Sequence, residues 1–188
     1  SKADFNNINV TPAASKKIKW NASANGFETG DLGGSMVLLS TQTASSSSTI
    51  SFTSGIDSTY DKYVFKFYDI HPETDSVSFQ FNLSVDTGSN YNVAKTTTNF
   101  RAYNIENDSD RGLGYRTGSD LAQGTGFLSL SNIQVGNDND QSVSGEMMLF
   151  NPSSTTFVKH FITVVANSHR NNYIKNTYTA GYYNNAND

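Results

Sequence analysis

The chain runs to 188 residues with a formal net charge of −4 and a pI near 5.2, which argues against a protein that grips nucleic acid by neutralising phosphates. It contains no cysteine, which excludes disulfides, thiolate nucleophiles and Cys-ligated zinc together, and no apolar run approaches the roughly 18 residues of a membrane-spanning helix. Hydrophobic residues make up 36% and aromatics 12%, so the core must be built largely from Phe and Tyr. The abundant Ser, Thr and Asn favour strand surfaces and turns over helices. A disordered chain of this polarity would be poor in aromatics, so the composition predicts a folded, strongly hydrated β protein.

Residues 1 to about 35 are expected to form a separate, short N-terminal β arm. The opening Ser1-Lys2-Ala3-Asp4-Phe5 has no apolar stretch after its lysine, so no signal peptide is expected. Lys16, Lys17 and Lys19 form a short basic cluster near acidic residues and read as a solvated strand face. The single Trp20 lies in this region, which ends in Gly30-Asp31-Leu32-Gly33-Gly34. Residues 36–39 are apolar, and the Ser/Thr tract over 41–49 reads as an exposed loop.

Strand signals then come regularly. Ile50 and Phe52 alternate with polar neighbours, and residues 63–70 are apolar at both parities, the pattern of a strand buried on both faces. Val77, Phe79, Phe81, Leu83 and Val85 alternate with Ser78, Gln80, Asn82 and Ser84 without a break, which predicts a strand over 77–85. Between them, His71-Pro72-Glu73-Thr74-Asp75 supplies the turn for an antiparallel pair. Residues 100–103 predict a short strand, 107–112 a loop, and 119–123 one helical turn opened by Ser119-Asp120. Phe127, Leu128 and Leu130 resume an apolar pattern.

Strands over 143–150 and 156–165 flank the turn Asn151-Pro152-Ser153-Ser154-Thr155. In the second of these, Phe157, Phe161, Thr163 and Val165 define one face and Val158, Ile162 and Val164 the other. Residues 173–183 form a last strand rich in Tyr and Thr. Short strands between turn clusters, with no long helical period, predict an all-β, antiparallel β-sandwich or jelly roll over 36–188.

Candidate chemistry is sparse. His71, His160 and His169 lie far apart with no zincin spacing, and no nucleophile elbow, Walker loop or dinucleotide fingerprint is present. No catalytic residue and no cofactor are therefore expected. Glu106 and Glu146 are the plausible carboxylates for a glycosidase on such a fold, which would need two flanking one bond. Asp138 and Asp140, in Gly136-Asn137-Asp138-Asn139-Asp140-Gln141, are the weak candidates for calcium, but the EF-hand glycine and distal Glu are missing and a turn is the simpler reading. Tyr173, Tyr178, Tyr182 and Tyr183 could make a sugar-stacking platform, although core or interface packing explains tyrosine equally well.

Two segments carry a resemblance. Lys16-Lys17-Ile18-Lys19-Trp20-Asn21, followed by Gly26-Phe27-Glu28, resembles an element of phage tail-fibre and other virion proteins. The resemblance implies two strands around a tight turn that pack against copies from neighbouring subunits. Thr49-Ile50-Ser51-Phe52, Ile70-His71-Pro72, the 136–142 loop and Phe150-Asn151-Pro152 look like a family of structural proteins from marine phages, especially cyanophages. That likeness implies a virion location, as a tail fibre or a head decoration, with host-surface glycan and other virion proteins as partners, and assembly in the host cytoplasm. It also implies strands beyond Ala180-Gly181-Tyr182-Tyr183, and hence a truncated sandwich.

A small cysteine-free protein needs another source of stability, and oligomerisation supplies one. Ile18, Trp20 and Phe27 are the expected oligomer contacts, with a trimer as the expected state. Neither nucleic acid nor a membrane is an expected partner. A carbohydrate-binding module or glycan-active enzyme on a jelly roll is the rival reading, since such folds host many activities.

Overall fold

A computed structural model of the chain describes residues 16–20, 23, 26–31, 36–132 and 134–184. Residues 24–25, where the turn of the arm is expected, and the stretches 32–35 and 185–188 lie outside the described residues, as do residues 1–15. The chain divides into two compact units, Ser1–Gln42 and Thr43–Asp188.

The first unit contains one antiparallel pair, β1 (Lys16–Trp20) and β2 (Phe27–Asp31), in the register Trp20↔Phe27 and Ile18↔Thr29. Alternation puts Ile18, Trp20 and Phe27 on one face, where the two rings stack with centroids 4.5 Å apart. The other face is charged: Lys19 and Glu28 are register partners joined at 3.2 Å. The stem of Lys19 lies across Gly30, where a Cβ would sit 2.6 Å from Lys19 Cε.

The second unit is all-β and antiparallel, with no helix among the described residues. Its main layer is a six-stranded sheet of β3 (Lys62–Ile70), β5 (Lys95–Ile105), β6 (Arg111–Tyr115), β8 (Val143–Phe150), β9 (Lys159–His169) and β10 (Tyr173–Tyr183), in the order β3-β8-β9-β10-β5-β6. β8, β9 and β10 follow as a meander: Asn151 and Asn172 adopt positive φ, Ser154 N donates to Asn151 O at 3.1 Å in the loop after β8, and Asn172 N donates to His169 O at 2.9 Å in the short turn before β10. The second layer is one short pair, β4 (Gln80–Phe81) with β7 (Leu128–Ser129), and the irregular chain around it. This is a sandwich-like arrangement. A jelly roll has two full sheets, and the second layer holds only these two short strands among the described residues.

Four sequence-based expectations are corrected. Residues 77–85 do lie extended over the core with Phe79, Phe81 and Leu83 inward, but only two of them form a strand. Side chains replace ladder partners there: Phe79 N donates to Ser131 Oγ at 2.8 Å and Leu83 N to Asn82 Oδ1 at 2.9 Å. β3 does not pair with this segment across the 71–75 turn. It pairs with β8, and residues 71–76 carry the chain to the other layer, where Phe79 meets Phe67 edge-to-face at 4.9 Å. The 119–123 segment is no helix, because Leu121 and Thr97 exchange hydrogen bonds, N to Oγ1 at 2.9 Å and N to O at 2.8 Å, and draw it onto β5. Ile50 and Phe52 also lie in irregular chain, with Phe52 edge-on to Phe65 at 5.7 Å.

The inner face of the sheet changes character across its width. On β3, β8 and the start of β9 it is apolar, with Tyr63, Leu149, Phe161 and Val165 buried. On β10 and β5 it is polar: Asn132 Nδ2 donates to Asn99 Oδ1 at 3.2 Å and Asn99 Nδ2 to Thr179 Oγ1 at 2.8 Å. Lys95, Lys159 and Lys175 are all buried on this face. Lys95 Nζ donates to Asn82 Oδ1 and Val93 O, whereas Lys159 Nζ, Thr163 Oγ1, Thr177 Oγ1 and the Asn167 amide have no hydrogen-bond partner among the described residues. So costly an interior is unusual for a fold this small.

Candidate functional site

A half-open polar pocket of about 190 Å³ lies at one end of the sheet in the second unit. It forms where the β5 end, the β9 end and the β10 start converge on the 136–141 loop, and its walls include Glu106, Asp140, Gln141, His169, Asn172 and Tyr173. The turn at Asn172 brings the walls together: Glu106 N donates to Asn172 O at 3.0 Å, and Tyr173 pairs with both His169 and Ile105. Three residues singled out as possible chemistry, Glu106, Asp140 and His169, therefore share one pocket although they are distant in sequence.

The imidazole of His169 is fully engaged. Its Nδ1 accepts from Asn171 N at 3.0 Å, which leaves the proton on Nε2 to be donated to Gln134 Oε1 at 2.5 Å. Burial, reinforced by Lys175, Arg170 and Arg101, holds its pKa down at about 4. A neutral ring with both nitrogens committed is a structural bridge between β9 and the second layer, not a general base or a ligand. The Tyr173 hydroxyl, 3.1 Å from Asp110, donates to that carboxylate and so points away from acid–base duty.

The remaining candidates are dispersed. Glu146 lies on the outer face of β8 opposite Lys66, not beside Glu106. Asp138 and Asp140 are exposed in a turn closed from within: Gln141 N donates to Asp138 O at 2.8 Å, and Asp138 N to Gln141 Oε1 at 3.3 Å. No three His, Asp or Glu side chains among the described residues are grouped to hold a metal. Because the turn closes on its own side chains, melting in EDTA and in added calcium is expected to give the same midpoint. A midpoint lowered by several degrees in EDTA and restored by calcium would return Asp138 and Asp140 as ligands.

The four tyrosines do not make one sugar platform. Tyr183 is buried in the core, where desolvation raises its pKa to about 12, and Tyr173 lies by the cavity. Tyr178 and Tyr182 share the outer face, Tyr178 stacked on Phe100 at 5.0 Å and Tyr182 tilted against His160 at 6.3 Å. The alternation of β10 divides the set between the two faces. His71, for its part, is tied through Nδ1 to Gln141 O at 2.6 Å.

Of the expected oligomer contacts, Trp20 is 61% exposed, Ile18 58% and Phe27 41%, all on one face of the hairpin. The sequence reading missed a larger apolar surface, the outer face of the six-stranded sheet, where Phe100, Leu113, Tyr115 and Ile162 are exposed. Its signal was present in the both-parity apolar strands. Comparison of the chain with protein-family models, curated proteins and solved structures gives no match.

Proposed function

We propose that this chain is a non-enzymatic structural protein of a phage particle, displayed on the surface as a tail-fibre or adhesion component, and assembled from several copies of itself. The observation that carries the assembly is the β1–β2 hairpin. An isolated two-stranded pair is marginal in water, yet this one spends its aromatic residues on a face it cannot bury alone. The phage setting rests on the resemblance of residues 16–32 and of the second unit to virion proteins. The engaged state of His169 in the cavity, and the separation of Glu106 from Glu146, support a binding and scaffolding role over turnover.

Burying Trp20 against neighbouring copies contributes on the order of 2–3 kcal/mol per protomer. Three copies around an axis multiply that gain in a closed, symmetric assembly. Trp20→Ala is therefore expected to lower the mass of the assembly in light scattering, with the far-ultraviolet dichroism of the second unit unchanged. An assembly of the same mass in the variant, or a monomeric wild type, would sink the reading.

A further inference from the structure

Strands β3, β8 and β9 carry apolar residues at both parities, the composition of strands buried on both sides. Within the unit Thr43–Asp188 only one side is covered. On the other, the register lays out rows across the sheet: Val64, Met148, Ile162 and Ala180 in one, Val164, Tyr178, Phe100 and Tyr115 in the next. Ile162 is 41% exposed, Tyr115 51% and Leu113 73%. The stacked Phe100 and Tyr178 rings, 11° from parallel, give the face a flat aromatic patch.

We infer that this outer face is an interface between two copies of the chain, packed sheet against sheet about a two-fold axis. Its size fits: with strands about 4.8 Å apart and alternate rows about 7 Å apart, the two apolar rows together with the more polar positions around them span roughly 25 Å by 25 Å, near the ~800 Å² per partner of a standard interface once side-chain relief is counted. Its charge fits as well. Lys66 stands directly opposite Glu146, and the other cations of the face lie at its rim, Lys62 in the row of Phe150 and Arg111 beside Asp108 at 2.8 Å, so a second copy turned about an axis parallel to the strands brings none of them onto its own counterpart. The sheet edges are poorer docking places, since β3 is interrupted by a bulge between Phe67 and Ile70 and β6 is only five residues long.

The face also has a knob and a hollow. A shallow depression lies among Lys66, Tyr68, Glu146 and Val164 near the β3 border. Leu113 projects from the β6 border, on the row that runs through Ala102, Asn176 and Ala166 to Ser144 at that depression. A two-fold axis parallel to the strands preserves the row and exchanges the borders, so each copy's Leu113 meets the other's hollow, twice per dimer.

The test uses the full chain carrying Trp20→Ala, which separates this interface from any contact made by the hairpin. Light scattering is expected to show two copies, and adding Ile162→Lys or, independently, Leu113→Lys is expected to halve the mass while dichroism and melting show a folded chain. Phe157→Lys, at a 70% exposed loop position, is the matched control and is expected to leave the dimer intact. A monomeric Trp20→Ala chain overturns the inference, as does an assembly other than a dimer, or one that survives both face substitutions. A wild type of the same mass as Trp20→Ala overturns the hairpin reading alone.

Discussion

Phe161→Ala is expected to be the most damaging single substitution in the second unit, costing about 3–5 kcal/mol. Phe161 is 1% exposed at the centre of the inner face, with Leu149 and Gly181 as its cross-strand partners. Gly181 is the reason it fits: a Cβ there would lie 2.6 Å from the Phe161 ring tip, so the ring occupies the space that a side chain on β10 would fill. From above, Phe81 meets the ring edge-to-face at 5.1 Å and 79°, so Phe161, like the Phe67–Phe79 pair, joins the two layers. The cavity cannot close, because the main layer below is a hydrogen-bonded sheet. At about 2–4 °C per kcal/mol for a chain of this size, the melting midpoint should fall by roughly 6–20 °C. A fall under 2 °C would show that the β4–β7 layer does not rest on this ring.

Lys175→Met is expected to have the largest effect in the opposite direction, raising stability by about 1–3 kcal/mol at neutral pH. Lys175 is 3% exposed on β10, between Asn167 and Tyr103, and no carboxylate pairs with it among the described residues. Burial, then the charges of Arg101 and Arg116, lowers its pKa to about 8, and burial does the same for Lys95. Methionine keeps an unbranched side chain, one heavy atom shorter, and removes the charge.

The pH profile supplies the second readout. Below about 8 both lysines are charged in the folded and unfolded chains, and their contribution is constant. Between about 8 and the ordinary 10.5 the unfolded chain holds more protons, so stability rises with pH. Tyr183 opposes this: its folded value is about 12 against an ordinary 10.0, so above 10 the unfolded chain loses that proton first and stability falls. On the acid side, His169 at about 4 against 6.5 means stability is lost as pH drops through that window. Melting midpoints are thus expected to climb from pH 4 to 6.5, hold to 8, rise to about 10 and fall beyond. Lys175→Met should flatten the alkaline rise; a variant melting below wild type at pH 7 would mean that the ammonium has a partner that stabilises it.

Much of the fold is written in local pattern. The strand limits over 143–150 and 173–183 agree with β8 and β10, because alternation ends there at turn-forming Asn, Pro and Ser. β1 and β2 lie within the arm expected over residues 1 to about 35, where the resemblance to virion proteins implied two strands, and Trp20 and Phe27 share one face of the pair. The strict alternation of 77–85 correctly marked Phe79, Phe81 and Leu83 as inward residues, although not the ladder they would join. An extended segment has the same period whether neighbouring strands or side chains such as Ser131 and Asn82 satisfy its backbone.

Pairing and environment belong to the tertiary structure. β3 finds β8 some eighty residues away, because its inward Tyr63 and Phe65 fit beside Leu149 and Met147, a choice no local turn signal encodes. The gathering of Glu106, Asp140 and His169 at one cavity depends on the Asn172 turn and on the 136–141 loop folding back beside it. Lys159 and Lys175 read in sequence as ordinary solvated lysines. They are buried only because parity in β9 and β10 turns them toward the second layer. Apolar residues at both parities do not say which face of the sheet is inward; within the second unit the β4–β7 layer and the chain around it decide that, because Phe79, Phe81 and Leu83 lie over one side.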